Sequence, residues 1–173
     1  MVGNGKTDPA SKHSDARESF REMLARKQAY RYRIGDEGEG FVLSQELLKY
    51  EGTEYANCIK DCSDDKNSHF DILSCTASGE KLYIEVKSTA SNDPYIDFHM
   101  SRKELAVAWH CYKKGIRYEI HRVYGVGSDI RRLIIPAEAL FRDFETIGQQ
   151  YALRKKSTAQ AQQHLRGNAA VVQ

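Results

Sequence analysis

His69-Phe70-Asp71-Ile72-Leu73 and Lys81-Leu82-Tyr83-Ile84-Glu85-Val86-Lys87 are the two runs whose reading decides the fold. In the second, Leu82, Ile84 and Val86 alternate with Tyr83, Glu85 and Lys87. That is the period of a β-strand with one apolar and one polar face. Glu85 and Lys87 then project from the same side. Alone, such a pair fits a solvated surface couple. Asp71 shifts the balance, because it sits between Phe70 and Ile72 in a second strand-like run. Ser78 and Gly79 supply turn residues between the two. Pairing as a hairpin brings Asp71 toward Glu85 and Lys87. Two acids beside one lysine suit a hard divalent cation with a water to activate.

The rest of the chain sets the frame around that hairpin. At 173 residues it is long enough for one domain with a proper core. Its 40% hydrophobic and 29% charged content is that of a soluble globular protein. No apolar run approaches the ~20 residues needed to span a membrane, so no membrane partner is expected. Met1 to Asp15 has no apolar signal-peptide core, which makes the cytoplasm the expected location. Cys58, Cys62, Cys75 and Cys111 show neither a CxxC pair nor zinc-ribbon spacing, and read as reduced thiols.

The net charge of +2 hides a segregation. Residues 1–33 carry eight Lys/Arg against four Asp/Glu, residues 34–100 five against fourteen, and residues 101–173 thirteen against six. An acidic centre between basic flanks suits a metal site within a surface that attracts polyanions. Ordinary solvated helix faces would give the same counts.

Along the chain, residues 1–13 are polar and Gly-rich and predict a disordered tail. Residues 14–150 form the domain, with its core over about 35–125, and 151–173 are a polar C-terminal tail. Ser14 or Asp15 caps a helix carrying Phe20, Met23, Leu24 and Lys27, with Arg17, Arg21, Arg26, Arg31 and Arg33 on the other face. Those arginines suit either phosphate contact or a solvated face.

Gly35-Asp36-Glu37-Gly38-Glu39-Gly40 opens a second helix through Tyr50, with Phe41, Val42, Leu47 and Leu48 as its apolar stripe. The glycines match neither GxGxxG nor a P-loop, and three acids among them would repel a nucleotide phosphate. Close packing or backbone approach explains them better. Glu39 lies in the first turns, facing the strand site or simply complementing the helix dipole.

Tyr55–Ile59 reads as a short strand, and 61–67 as a polar connection. The strands at 69–75 and 81–88 follow, and after the Ser91–Pro94 turn a short strand spans 95–100. Ser101-Arg102-Lys103-Glu104 has the form of a capping box for a helix ending at Gly115. Strands at 116–126 and 131–135 and a short helix from Pro136 complete the domain.

The resulting order, α-β-β-β-(β)-α-β, resembles the PD-(D/E)XK nuclease superfamily. Phe70-Asp71 stands where that family has Pro-Asp, and Glu85-Val86-Lys87 matches its E-x-K element. More closely, the chain resembles the small family named for the C-terminal domain of the plant protein NO VEIN. The carrying residues are Gly35-x-x-Gly38-Glu39-x-x-Val42, Phe70-Asp71-Ile72, Tyr83-Ile84-Glu85-Val86-Lys87-Ser88 and Met100-Ser101-x-x-Glu104-Leu105. This resemblance spans roughly residues 35–125.

It implies a restriction-endonuclease-like α/β fold, a central mixed sheet flanked by helices. It also implies a metal-dependent DNA endonuclease acting in restriction, defence or repair. Asp71, Glu85, Lys87 and Glu39 would be catalytic. Mg²⁺ or Mn²⁺ would sit on Asp71, Glu85, the Val86 carbonyl and Glu39. DNA is the implied partner, and many such enzymes are homodimers because two cuts need two sites. The chain has no Walker motif, so any ATP-driven step would come from a separate ATPase or helicase. The competing readings are a nucleic-acid-binding or protein-interaction module that does not cut, and a nuclease subunit of such a complex.

Other candidates weigh less. Capping explains Ser101 and Glu104 better than catalysis does. His99 and Tyr95 share a strand face and suit either a DNA groove or a solvated edge. Trp109, Tyr112 and Tyr118 read as core, and Lys113 and Lys114 as complements of a helix dipole. No Ser-His-Asp or Cys-His arrangement is present in the sequence pattern.

Overall fold

The fold is laid out around the 81–88 strand. A computed structural model describes residues 9–65, 67–147 and 152–155. Helix α1 (Pro9–Lys49) leads to a 3-10 turn (Glu54–Cys58) and strands β1 (Lys60–Asp61), β2 (Ile72–Cys75), β3 (Lys81–Ser88) and β4 (Phe98–His99). Helix α2 (Arg102–Lys114), β5 (Arg117–Tyr124), β6 (Arg131–Pro136), α3 (Ala137–Asp143), β7 (Phe144–Ile147) and β8 (Ala152–Lys155) complete it.

Five strands form one mixed sheet in the order β1-β2-β3-β5-β6, and β4, β8 and β7 form a second, smaller one. The expected hairpin is present: β2 pairs antiparallel with β3, Ile72 opposite Ile84. β3 then pairs in parallel with β5, Glu85 opposite Ile120 and Lys87 opposite Arg122. A parallel neighbour requires a crossover, and α2 supplies it. The architecture is therefore the expected α/β core.

Alternation along β3 does not leave a wet face. Leu82, Ile84 and Val86 pack with Val42 and Ile34 of α1, while Tyr83 packs with Tyr118 and Ile120 beneath α2 and α3. Both faces of the sheet are covered, so Glu85 is buried at 2% exposure. What the sequence shows as a polar face is a polar strip inside the protein.

Several local expectations are corrected. Two helices were expected where one continuous α1 runs from Pro9 to Lys49, through every glycine of the 35–40 segment. Gly38 is the reason for that glycine content. A Cβ there would lie 2.8 Å from Ser88 Cβ and overlap the Ser88 hydroxyl. The helix is pressed onto the end of β3, and only glycine fits.

The buried stripe is Ile34, Gly38, Val42, Glu46 and Tyr50, a strict four-residue repeat. Leu47 and Leu48 are exposed instead. The 55–59 strand is a 3-10 turn, capped by the Thr53 side chain. The 95–100 strand shortens to Phe98–His99. Trp109 and Tyr112 are only partly buried, against Phe141, because α2 buries Ala108 and Cys111 instead. Tyr118 is core, as expected.

Helix starts at Pro9, within the segment expected to be a tail, and β8 lies within the C-terminal one. Residues 1–8, 148–151 and 156–173 lie outside the described residues. All four cysteines are free. Among the described residues no helix is long and apolar enough to cross a membrane.

Candidate active site

Asp71, just before β2, is held by its backbone on both sides. Its N–H donates to the Ile84 carbonyl at 2.9 Å, and its own carbonyl accepts from the Cys62 N–H at 2.7 Å. Phe70 stacks on Tyr83 with ring centroids 4.6 Å apart, which fixes the approach to Asp71. β2 pairing begins at Ile72, so the β3 edge beyond it is open to a side chain. Asp71 Oδ2 takes that place, accepting the Val86 N–H at 2.7 Å. In a strand the N–H and C=O of one residue point to the same edge. The Val86 carbonyl therefore faces the edge where Asp71 sits.

Across the strand, Lys87 Nζ lies 2.6 Å from Glu85 Oε1 and 3.1 Å from Glu104 Oε2. Glu104 arrives from the first turn of α2, where the capping box with Ser101 is fully formed. The Ser101 N–H donates to the same Glu104 Oε2 at 2.7 Å. Capping is thus half of what Glu104 does. Its contact with Lys87 was missed from the sequence, although the Met100-Ser101-x-x-Glu104-Leu105 element marks the residue.

From the other side, Gly38 brings α1 close enough for Glu39 to enter. Glu39, Asp36, Asp61, Asp64 and Asp71 line a cleft of about 290 Å³. Of the four expected site residues, Glu85 and Lys87 form a direct ion pair, while Asp71 and Glu39 line the same cleft. The Val86 peptide joins them.

Electrostatics explain what this concentration of acid costs. Burial, then the nearby Asp71, Asp36 and Asp61, push the Glu39 carboxyl up to about 7. Burial pushes Glu85 up to about 8, with Asp71 and Glu104 adding to it and Lys87 opposing. Burial also raises Asp71, against the Val86 N–H and Lys87. Lys87 is raised, since Glu85 and Glu104 outweigh its own burial. One lysine faces more carboxylates than it can neutralise.

Arg122 is the second residue sequence reasoning missed. Although 2% exposed, it donates to the carbonyls of Lys87 at 3.0 Å, Pro94 at 3.2 Å and Ile96 at 3.3 Å. It fixes the end of β3 and ties the 94–96 segment to it. Burial lowers its guanidinium to about 10. An Arg in register with the apolar positions Tyr118 and Ile120 of β5 was the available signal.

Mg²⁺ is commonly held by one or two carboxylates, with waters and phosphate oxygens completing the shell. Among the described residues no group of three or more His, Cys, Asp or Glu side chains is placed to hold a metal ion. An open set of Asp71, Glu85 and the Val86 carbonyl fits that pattern. The buried Tyr118 hydroxyl has no hydrogen-bond partner among the described residues, and the charges of Glu85, Glu104 and Asp71 act on it. A cluster with excess negative charge and an unsatisfied hydroxyl is suited to a cation and its waters.

The family model described as Protein NO VEIN, C-terminal, matches residues 38–135, more than half of the chain. No curated protein and no solved structure matches it.

Proposed function

The chain belongs to the family of the NO VEIN C-terminal domain, and from that premise we propose that it is a metal-dependent endonuclease of the PD-(D/E)XK type, cutting DNA. The observation that carries this reading is the excess of buried acid around a single lysine at the mouth of the β2–β3 hairpin. Asp71, Glu85 and the Val86 carbonyl would hold Mg²⁺ or Mn²⁺, with Glu39 reaching it through water. When bound, that ion polarises a phosphodiester and lowers the pKa of a coordinated water.

The chain's own residues do the rest. Lys87, held between Glu85 and Glu104, presents its ammonium to the attacking water and to the negative charge that grows on the phosphoryl oxygens. Glu104 keeps Lys87 charged and aimed. Arg122 holds the Lys87 backbone, so the side chain does not have to be ordered at the moment of reaction. Asp71 locks the Val86 peptide, which orients the carbonyl beside it.

Cleavage of plasmid DNA in Mg²⁺, Mn²⁺ or EDTA tests the reading, with wild type compared to Glu85→Ala and Lys87→Ala. Metal-dependent cutting lost in both variants supports it. Cutting that survives both substitutions rules out this site. Salt-sensitive DNA binding without cutting would instead favour a binding module or a subunit that needs a separate ATPase.

A further inference from the structure

A larger groove opens next to the acid cleft. It measures about 890 Å³ and is lined by Leu24, Lys27, Gln28, Arg31 and Tyr32 of α1 together with Lys87 and His99. The half of α1 before Ile34 is exposed throughout its described side chains, so it stands clear of the sheet as an arm. Leu24, Lys27, Gln28 and Arg31 recur at three- and four-residue intervals and so share one face of that arm. The outer face is different: there Arg33 pairs with Glu37 and lies over the Tyr30 ring. Among the described residues Lys27 and Arg31 form no ion pair. The groove wall is therefore cationic and partly aromatic, and Lys87 belongs both to it and to the acid cluster.

We propose that this groove binds one unpaired strand of nucleic acid and leads it to Lys87, an inference that rests on the nuclease reading of the neighbouring site. Three properties favour a single strand over a duplex. The groove has walls on both sides, the α1 arm and the β3–β4 end, which suits one backbone. Lys27 and Arg31, one helical turn apart, suit successive phosphates. Tyr32, 64% exposed, and His99 offer ring faces, and an unpaired base can stack on such faces whatever its sequence.

Binding of a fluorescent single-stranded oligonucleotide, and of its duplex, is measured in EDTA so that no cutting intervenes. Wild type is expected to bind the strand more tightly than the duplex. Lys27→Ala/Arg31→Ala should weaken strand binding about tenfold and reduce the salt slope by about 1.4, since each phosphate contact contributes about 0.7. Tyr32→Ala should weaken it about fivefold. Lys113→Ala, outside the groove, should leave it unchanged.

Duplex bound as tightly as strand, or unchanged strand binding in the double variant, overturns the proposal. So does a dimer that the double variant dissociates while strand binding persists, since a second copy would then occupy the groove. The two readings fail separately. Groove variants that bind normally while Glu85→Ala abolishes cutting sink the groove alone. Strand binding that depends on Lys27 and Arg31, in a protein that never cuts, sinks the nuclease alone.

Discussion

Two carboxylates, Glu46 and Glu85, are each 2% exposed against the same sheet, and they are treated in opposite ways. Glu46, on α1, accepts from the Ser74 hydroxyl at 2.8 Å and pairs with Arg132 at 3.2 Å and Lys49 at 3.6 Å. Arg132 also reaches Nδ1 of buried His121, whose Nε2 faces Glu119 at 2.9 Å. Acids and bases are matched there, as buried charge requires. Glu85 has Lys87, which it shares with Glu104, while Asp71 adds further negative charge. The first network is complete within the protein. The second is short of positive charge, the deficit that the proposed cation would fill.

The comparison predicts a crossed pattern of effects. The largest is on cleavage: Glu85→Gln, which keeps shape and removes charge, should reduce metal-dependent cutting roughly 100- to 1,000-fold. Its folding stability above pH 8 should be equal to or greater than wild type, as followed by thermal melting. Glu46→Ala should do the reverse. It strands Arg132 and Ser74, and denaturant unfolding should show a loss of about 2–3 kcal/mol with the catalytic rate of the folded fraction retained.

Gly38→Ala comes next. The added methyl meets Ser88, so about 1–2 kcal/mol of stability should be lost in the same unfolding assay. Cleavage should fall as well, because Glu39 moves with the helix. The smallest effect belongs to Ser101→Ala, which removes one cap hydrogen bond to α2 and should cost about 1 kcal/mol in chemical unfolding.

How much of this the sequence shows follows from the range of each interaction. The β2–β3 hairpin, the capping box of α2 and the Asp71–Glu85–Lys87 grouping are local or nearly so, and period and turn residues reveal them. The stripe of α1 is not legible in the same way. Hydrophobicity favours Leu47 and Leu48, whereas tertiary packing buries Gly38 and Glu46, one for want of space and the other because Arg132, 86 positions away, is waiting for it. Arg122 was missed for the same reason, since its three acceptors are carbonyls in distant segments. Alternation marks a polar face on β3 without saying what covers it, and α2 and α3 do so. That cover is what raises Glu85.

The charge deficit itself has a direct test in thermal melting against pH, with and without Mn²⁺. Glu39 and Glu85 titrate near 7 and 8 in the folded protein, against 4.5 for an ordinary glutamate. The folded state therefore holds more protons than the unfolded chain across that interval, and stability without metal falls as pH rises from about 4.5 toward 8. A cation bound only by the folded state offsets that loss. The account predicts that Mn²⁺ raises the melting temperature of wild type at pH 8, that Glu85→Gln abolishes most of the rise, and that Glu46→Gln leaves it intact. An equal melting temperature with and without Mn²⁺, or a rise that Glu85→Gln does not diminish, would contradict it.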